Sequence, residues 1–116
     1  KVSGLSGAVY PAPPPAMHDQ FATRYKRNFG ATPPEIASLA YDAMSLAITL
    51  ARRPDGQGFT EAVMTDPDGF VGVDGIFRFT SDGLNQRGLA ILEVTPAGVQ
   101  VRDPAPTSFA DTLPGS

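Results

Sequence analysis

The sequence predicts an α/β fold in which a strand, two long helices and a short helix are followed by a β-hairpin. Three observations carry that expectation. Large apolar residues recur every four positions at Met17, Phe21, Tyr25 and Phe29, which aligns them on one face of a helix. A second stretch, residues 32–53, opens on Thr32-Pro33-Pro34-Glu35 and continues through a long apolar segment, the pattern of a capped helix. Residues 75–80 alternate, with Phe77 and Phe79 opposite Ile76, Arg78 and Thr80, which is the period of a strand.

Taken in order, residues 4–10 (Gly-Leu-Ser-Gly-Ala-Val-Tyr) form a short apolar run that meets Pro11, with Pro13, Pro14 and Pro15 behind it. Proline removes ladder donors and fixes φ, so the strand is expected to stop there. In the first helix Lys26 and Arg27 fall in the last turn and Gly30 follows, positive charge at the negative end of the dipole and a residue able to adopt the left-handed closing conformation. The second helix has the spacing of a capping box, with Thr32 as the cap, Pro33 at the first helical position and Glu35 reaching back. Its polar residues Ser38, Asp42, Ser45 and Thr49 form one narrow strip, with Leu39, Tyr41, Met44, Leu46, Ala47, Ile48 and Leu50 around the rest. Such a helix is expected to be buried on most sides. Pro54 and Gly56 end it, Thr60 caps a short third helix to about residue 64, and Asp66-Pro67-Asp68-Gly69 makes a turn. Residues 75–80 and 89–94 are expected to pair as a hairpin with a long connection, and Thr95-Pro96-Ala97-Gly98 turns into a further strand at 99–102. The folded domain should span residues 1–103, with 104–116 a Pro-rich, poorly ordered tail.

Composition narrows the chemistry. The chain of 116 residues suits one small domain with a real core. Its 12 Pro and 12 Gly point to many turns. A formal net charge of −3, with Arg24, Lys26 and Arg27 as the one sizeable basic cluster, offers no broad surface to nucleic-acid phosphates. The absence of cysteine excludes disulfides, thiolate nucleophiles and cysteine-ligated metals. No apolar run approaches the roughly 18 to 20 residues of a membrane helix.

Residues able to do chemistry are sparse. His18 is the single histidine; a metal site needs several convergent ligands, so a solvated surface position is expected for it. Asp42 within an apolar helix invites the reading of a perturbed carboxylate, but its neighbours Ser38, Ser45 and Thr49 favour a structural, hydrogen-bonded role. Tyr41 is expected in the core with a satisfied hydroxyl. Asp66, Asp68, Asp74 and Asp82 sit in Gly-containing turns and lack calcium-loop spacing, so turn chemistry accounts for them. Residues 69–75 have no lysine for a phosphate loop, and no serine stands in a Gly-x-Ser-x-Gly elbow. Nothing in the sequence supports catalysis, and no cofactor is expected.

Several pieces occur in a recognisable order: a strand with Gly7, a helix with Phe21 and Tyr25, Gly30-x-x-Pro33, Ala40-Tyr41-Asp42-Ala43, Phe70-x-Gly72-x-x-Gly75, and Phe79 with Asp82-Gly83. Together, over about residues 4–101, they resemble the end of the periplasmic leucine/isoleucine/valine-binding protein family. The resemblance implies a C-terminal part of a two-lobed type I periplasmic binding protein, not an enzyme, with a small ligand such as an amino acid held between the lobes. An ABC permease is the implied partner and the location is periplasmic or extracytoplasmic, with a lipid anchor compatible. By position, ligand contacts carry over to Tyr10 after the first strand and to Ile36 and Ala37 in the first turn of the second helix. Amino-acid-binding members commonly place an aromatic ring at about residues 36–38, where this sequence has Ile36, Ala37 and Ser38. The wording of residues 37–43 and 70–79 also resembles the penicillin-binding protein activators, which implies the alternative of a cell-envelope regulator that binds a protein partner such as a cell-wall synthase. Strand edges and helix faces left uncovered in such a fragment are expected to drive homo-oligomerisation or domain swapping.

Overall fold

The computed structural model describes residues 3–111. A 3-10 turn at Ser3–Leu5 precedes β1 (Val9–Ala12), α1 (Pro15–Phe29), α2 (Ala37–Ala51), α3 (Glu61–Met64), β2 (Phe70–Gly72), β3 (Gly75–Phe79), β4 (Asn85–Arg87), β5 (Ala90–Thr95) and β6 (Gly98–Asp103), and a second 3-10 turn follows at Phe109–Asp111. The strands form two antiparallel sheets that share no strand, β1-β5-β6 and β2-β3-β4.

Several boundaries differ from the expected ones for clear reasons. β1 runs through Pro11, which pairs with Ile91; β1 is an edge strand, where the missing proline donor costs no ladder bond. The capping box does not form. Thr32, Pro33 and Pro34 are irregular, because a proline at 34 disfavours helical geometry at 33. Helix α2 starts instead at Ala37, whose N–H donates to Pro34 O at 3.0 Å. The anticipated hairpin of residues 75–80 with 89–94 is replaced by two separate pairings. β3 pairs with β4, Phe77 opposite Arg87 and Phe79 opposite Asn85, while β5 crosses to the other sheet between β1 and β6. The Asn-Gln-Arg of β4 is polar and carries no strand pattern; Gln86 earns its place by accepting from Arg78 Nε at 2.7 Å. Other elements follow the sequence. α1 occupies Pro15–Phe29 and closes at Gly30, φ 76°, with its N–H on Lys26 O at 2.8 Å.

The largest departure is the roll of α2. The helix expected to be buried on most sides buries Ser38, Asp42 and Leu50, whereas Tyr41, Met44 and Ile48 are 45, 62 and 45% exposed. Tyr41 is therefore not a core residue; its ring lies 5.3 Å from Phe21 of α1 with Arg24 over it. What turns the helix is Asp42. Its Oδ1 accepts the Val73 N–H at 2.8 Å, and its carboxyl group rests on Gly72, where a Cβ would stand 2.2 Å from Oδ2. Only glycine admits that approach.

Beyond the strands, residues 104–111 cross the molecule: Phe109 is buried and Arg78 lies over its ring at 4.4 Å while donating to Pro67 O. The remainder of the expected tail, residues 112–116, lies outside the described residues. The molecule is a slab of 54 × 44 × 20 Å with a radius of gyration of 16.6 Å, against about 13 Å for a compact chain of this length. Its accessible surface of 8034 Å² exceeds by about a third that of a compact monomer of this mass.

The seating of Asp42 on the hairpin can be tested by substitution. Gly72→Ala should destabilise the fold by about 2–4 kcal/mol in urea denaturation, because the methyl has no room. Asp42→Ala should cost about 1–3 kcal/mol by stranding the Val73 N–H, and in that background Gly72→Ala should cost much less, which a double-mutant cycle reads directly. In the β3–β4 turn, hydrogen bonds from the Thr80 hydroxyl and the Leu84 N–H hold the Asp82 carboxyl below its ordinary value. The stability this carboxylate contributes is complete at neutral pH and is lost as pH falls through its lowered pKa. Thr80→Ala should move the Asp82 titration upward in an NMR pH series.

Candidate functional site

Polar side chains from four parts of the chain converge on one open groove of about 550 Å³, lined by Tyr10, Ala12 and Pro13 around the end of β1, Pro15, His18 and Asp19 of α1, Glu35, Ser38 and Leu39 at the start of α2, and Asp74. Asp74 reaches it from the tight turn between β2 and β3, whose register closes Gly72 on Gly75. His18 Nδ1 and Asp74 Oδ1 are 2.8 Å apart, with Asp74 4% and the His18 side chain 37% exposed. His18 thus keeps a partly solvated side chain but is not idle: it is the polar link between α1 and the hairpin, 56 positions away in sequence. Asp74 is likewise no simple turn acid, unlike Asp66 and Asp82, which accept the N–H of Asp68 and Leu84 two residues on.

The structure places Tyr10 on this groove, 41% exposed. The opening of α2 reaches it through Glu35, Ser38 and Leu39 rather than through the two residues picked out in the sequence. Ile36 stands 70% exposed beside it, and Ala37 faces the neighbouring cleft between α1 and α2 with Phe21, Tyr25 and Tyr41. His18, Ser38 and Asp74 were missed as a group because no periodicity brings residues 18 and 74 together; the single sequence signal is an aspartate in a Val-Asp-Gly turn. Among the described residues no cluster of three or more His, Cys, Asp or Glu could hold a metal ion, and no helix is long and apolar enough to cross a membrane.

A second cavity of about 340 Å³ lies where the two sheets meet, lined by Pro14, Met17, Ile76, Ala90, Val101 and Pro106 among others. It presents hydrocarbon almost throughout. The groove at Tyr10 differs in offering a phenol, an imidazole, a hydroxyl and carboxylates, the few oriented polar groups by which small polar ligands are held.

The arrangement of two sheets and intervening helices has counterparts among solved structures. A Rhodospirillum rubrum protein described as a branched-chain amino acid ABC transporter superposes with a TM-score of 0.67 at 21% identity, over 84% of this chain and 31% of that one. The chain has part of the type I periplasmic binding protein fold. The leucine binding protein LivK of Thermotoga maritima superposes likewise, with a TM-score of 0.55 at 20% identity, over 94% of this chain and 33% of its own. The chain therefore spans about a third of each of these binding proteins. No protein-family model and no curated protein matches it.

Within this portion of the binding-protein fold, the His18–Asp74 pair ties the Tyr10 groove together. His18→Ala should leave the buried Asp74 without its partner and lower stability by about 1–3 kcal/mol in urea denaturation. Amide shifts should change at the Gly72–Gly75 turn as well as along α1; a change confined to α1 would contradict the link.

Proposed function

We propose that this chain is part of an extracytoplasmic solute-binding protein of an ABC-type, branched-chain amino-acid-like transport system, and that it forms one wall of an interlobe cleft for a small polar ligand. The observation that carries this reading is the groove itself: Tyr10 of β1, the start of α2 and the His18–Asp74 pair meet in one opening. A crevice that gathers a few oriented polar groups is the usual form of a small-ligand site. The likeness to two solved binding proteins supports the same reading. Tyr10 presents a ring and a hydroxyl to the ligand, while Ser38 supplies a hydroxyl from the floor. Ile36, exposed at the start of α2, and Ala37, on the neighbouring cleft between α1 and α2, are contacts that a second lobe closing over the start of α2 would complete. The chemistry required is binding alone, with no bond made or broken.

Titration of the isotopically labelled chain with L-leucine, L-valine and a panel of other amino acids tests this. A binding ligand should move the amides of Tyr10, His18, Ser38 and Asp74 together, and Tyr10→Ala should weaken it about tenfold, or about 1.4 kcal/mol. Saturable shifts confined to other surfaces, or none with any member of the panel, would count against the groove.

A further inference from the structure

The segment after β6 is tethered by one side chain. Of residues 104–110 only Phe109 is buried; Ala105 and Pro106 are half-buried and the others exposed. Pro104 and Pro106 have no N–H to lend to a ladder and fix φ, so the stretch is a stiff, extended spacer. The seat for Phe109 is made by the second sheet and the turn before it. Gly69, at φ 68°, forms its floor, where a Cβ would stand 2.9 Å from Phe109 Cε2. The Arg78 guanidinium forms its roof, 4.4 Å from the ring centroid. Arg78 is itself pinned on two sides, Nε donating to Gln86 Oε1 at 2.7 Å and Nη1 to Pro67 O at 2.9 Å. We infer that residues 104–111 are a latch: Phe109, seated between Gly69 and Arg78, fastens β6 of the first sheet to the second sheet, and its release uncouples the two.

Three features favour a latch over an ordinary piece of core. First, the seat is framed without its occupant. Its floor lies in a turn closed by the Gly69 N–H on Asp66 O at 2.9 Å, and its roof is held by hydrogen bonds in which Phe109 takes no part. A cation over an aromatic face then adds attraction to the burial of the ring. Second, the sheets share no strand, and where they meet lies a cavity of about 340 Å³ lined by Pro104 and Pro106 together with Met17, Ile76 and Ala90, so close packing does not fix their angle. Third, Ala12 pairs with Ala90, so the links through Pro13 and Leu89 leave the first sheet side by side. The latch starts from β6, across β5 from β1, and opposes a rotation that two neighbouring links allow. Every residue of the seat lies between positions 66 and 86 of this chain, so the seat does not depend on which other segments surround it. Tyr10 belongs to the first sheet and Asp74 to the hairpin of the second, so the latch also sets the span of the groove between them. That consequence for a ligand rests on the function proposed above; the latch itself is read without one.

Residual dipolar couplings on the ligand-free, isotopically labelled full chain test the inference. In the unaltered chain the amides of residues 90–103 and those of residues 70–87 should fit one alignment tensor. In Phe109→Ala, with far-ultraviolet circular dichroism unchanged, each set should still fit a tensor of its own, and no single tensor should fit both. A second measurement needs no substitution. Chymotrypsin under native conditions should cut after Phe109 at least about tenfold faster than after the equally buried Phe77, because a latch opens by itself while β3 opens only with its sheet. One tensor for both sets in Phe109→Ala, loss of folded structure in that variant, or equal cleavage at the two phenylalanines would overturn the latch and make Phe109 a core residue. No ligand enters these measurements, so their failure is distinct from failure of the amino-acid titration, which bears on the groove alone.

Discussion

The contact between Asp42 and the β2–β3 hairpin governs the rest of the structure. A carboxylate in an otherwise neutral helix is costly to bury unless hydrogen bonds receive it. The Val73 N–H supplies one, and the bare Cα of Gly72 supplies the room. Once that side chain is seated, the roll of α2 about its axis is set. Ser38 and Leu50 follow Asp42 inward, and the residues on the opposite side are carried outward. A single polar contact thus sets the roll of the helix with Met44 and Ile48 outward, where none of the described residues covers them.

The same contact organises the groove. With α2 fixed on the hairpin, the turn after Gly72 delivers Asp74 to His18, and His18 fixes the start of α1. Helix α1 then leans on α2 through Phe21 and Tyr41. Helices and second sheet become one unit, and β1, which belongs to the first sheet, brings Tyr10 up to its edge. Polar residues gather at that edge and hydrocarbon at the other contact between the sheets, so the two openings differ in kind. The groove suits a ligand with hydrogen-bonding groups, and the cavity between the sheets does not.

Much of this architecture is legible in the sequence. The four-residue spacing from Met17 to Phe29 and the pairing of Lys26 and Arg27 with Gly30 define α1 almost to the residue. The motif Phe70-x-Gly72-x-x-Gly75 and the helix around Asp42 point to the right fold. What could not be read depends on contacts distant in the chain. Periodicity in α2 distinguishes a polar strip from an apolar remainder, but it does not say which of them faces protein; that was decided by Val73, 31 positions away. Strand β4 was hidden because its partners, not its own residues, make it a strand. His18 looked idle because its significance lies in Asp74. Tyr10 was expected just after the first strand and instead lies inside β1, which runs on through Pro11, while the groove residues contributed by α2 depended on a helix start that the two prolines shifted from 33 to 37.

Two short links leave the first sheet, one to helix α1 and one to the second sheet, and they are unequal. Pro13 and Pro14 connect β1 to α1, and Gly88 and Leu89 connect β4 to β5. Prolines hold their φ angles near one value, whereas glycine tolerates a wide range. Of the two, the proline pair is the stiff strut, and residues 88 and 89, tied to β3 by the Gly88 N–H on Ile76 O at 2.9 Å, are the more adaptable link. Tyr10, three residues before the strut begins, is thereby held beside the stiffer of the two links, so the wall of the groove that it forms is anchored to the start of α1.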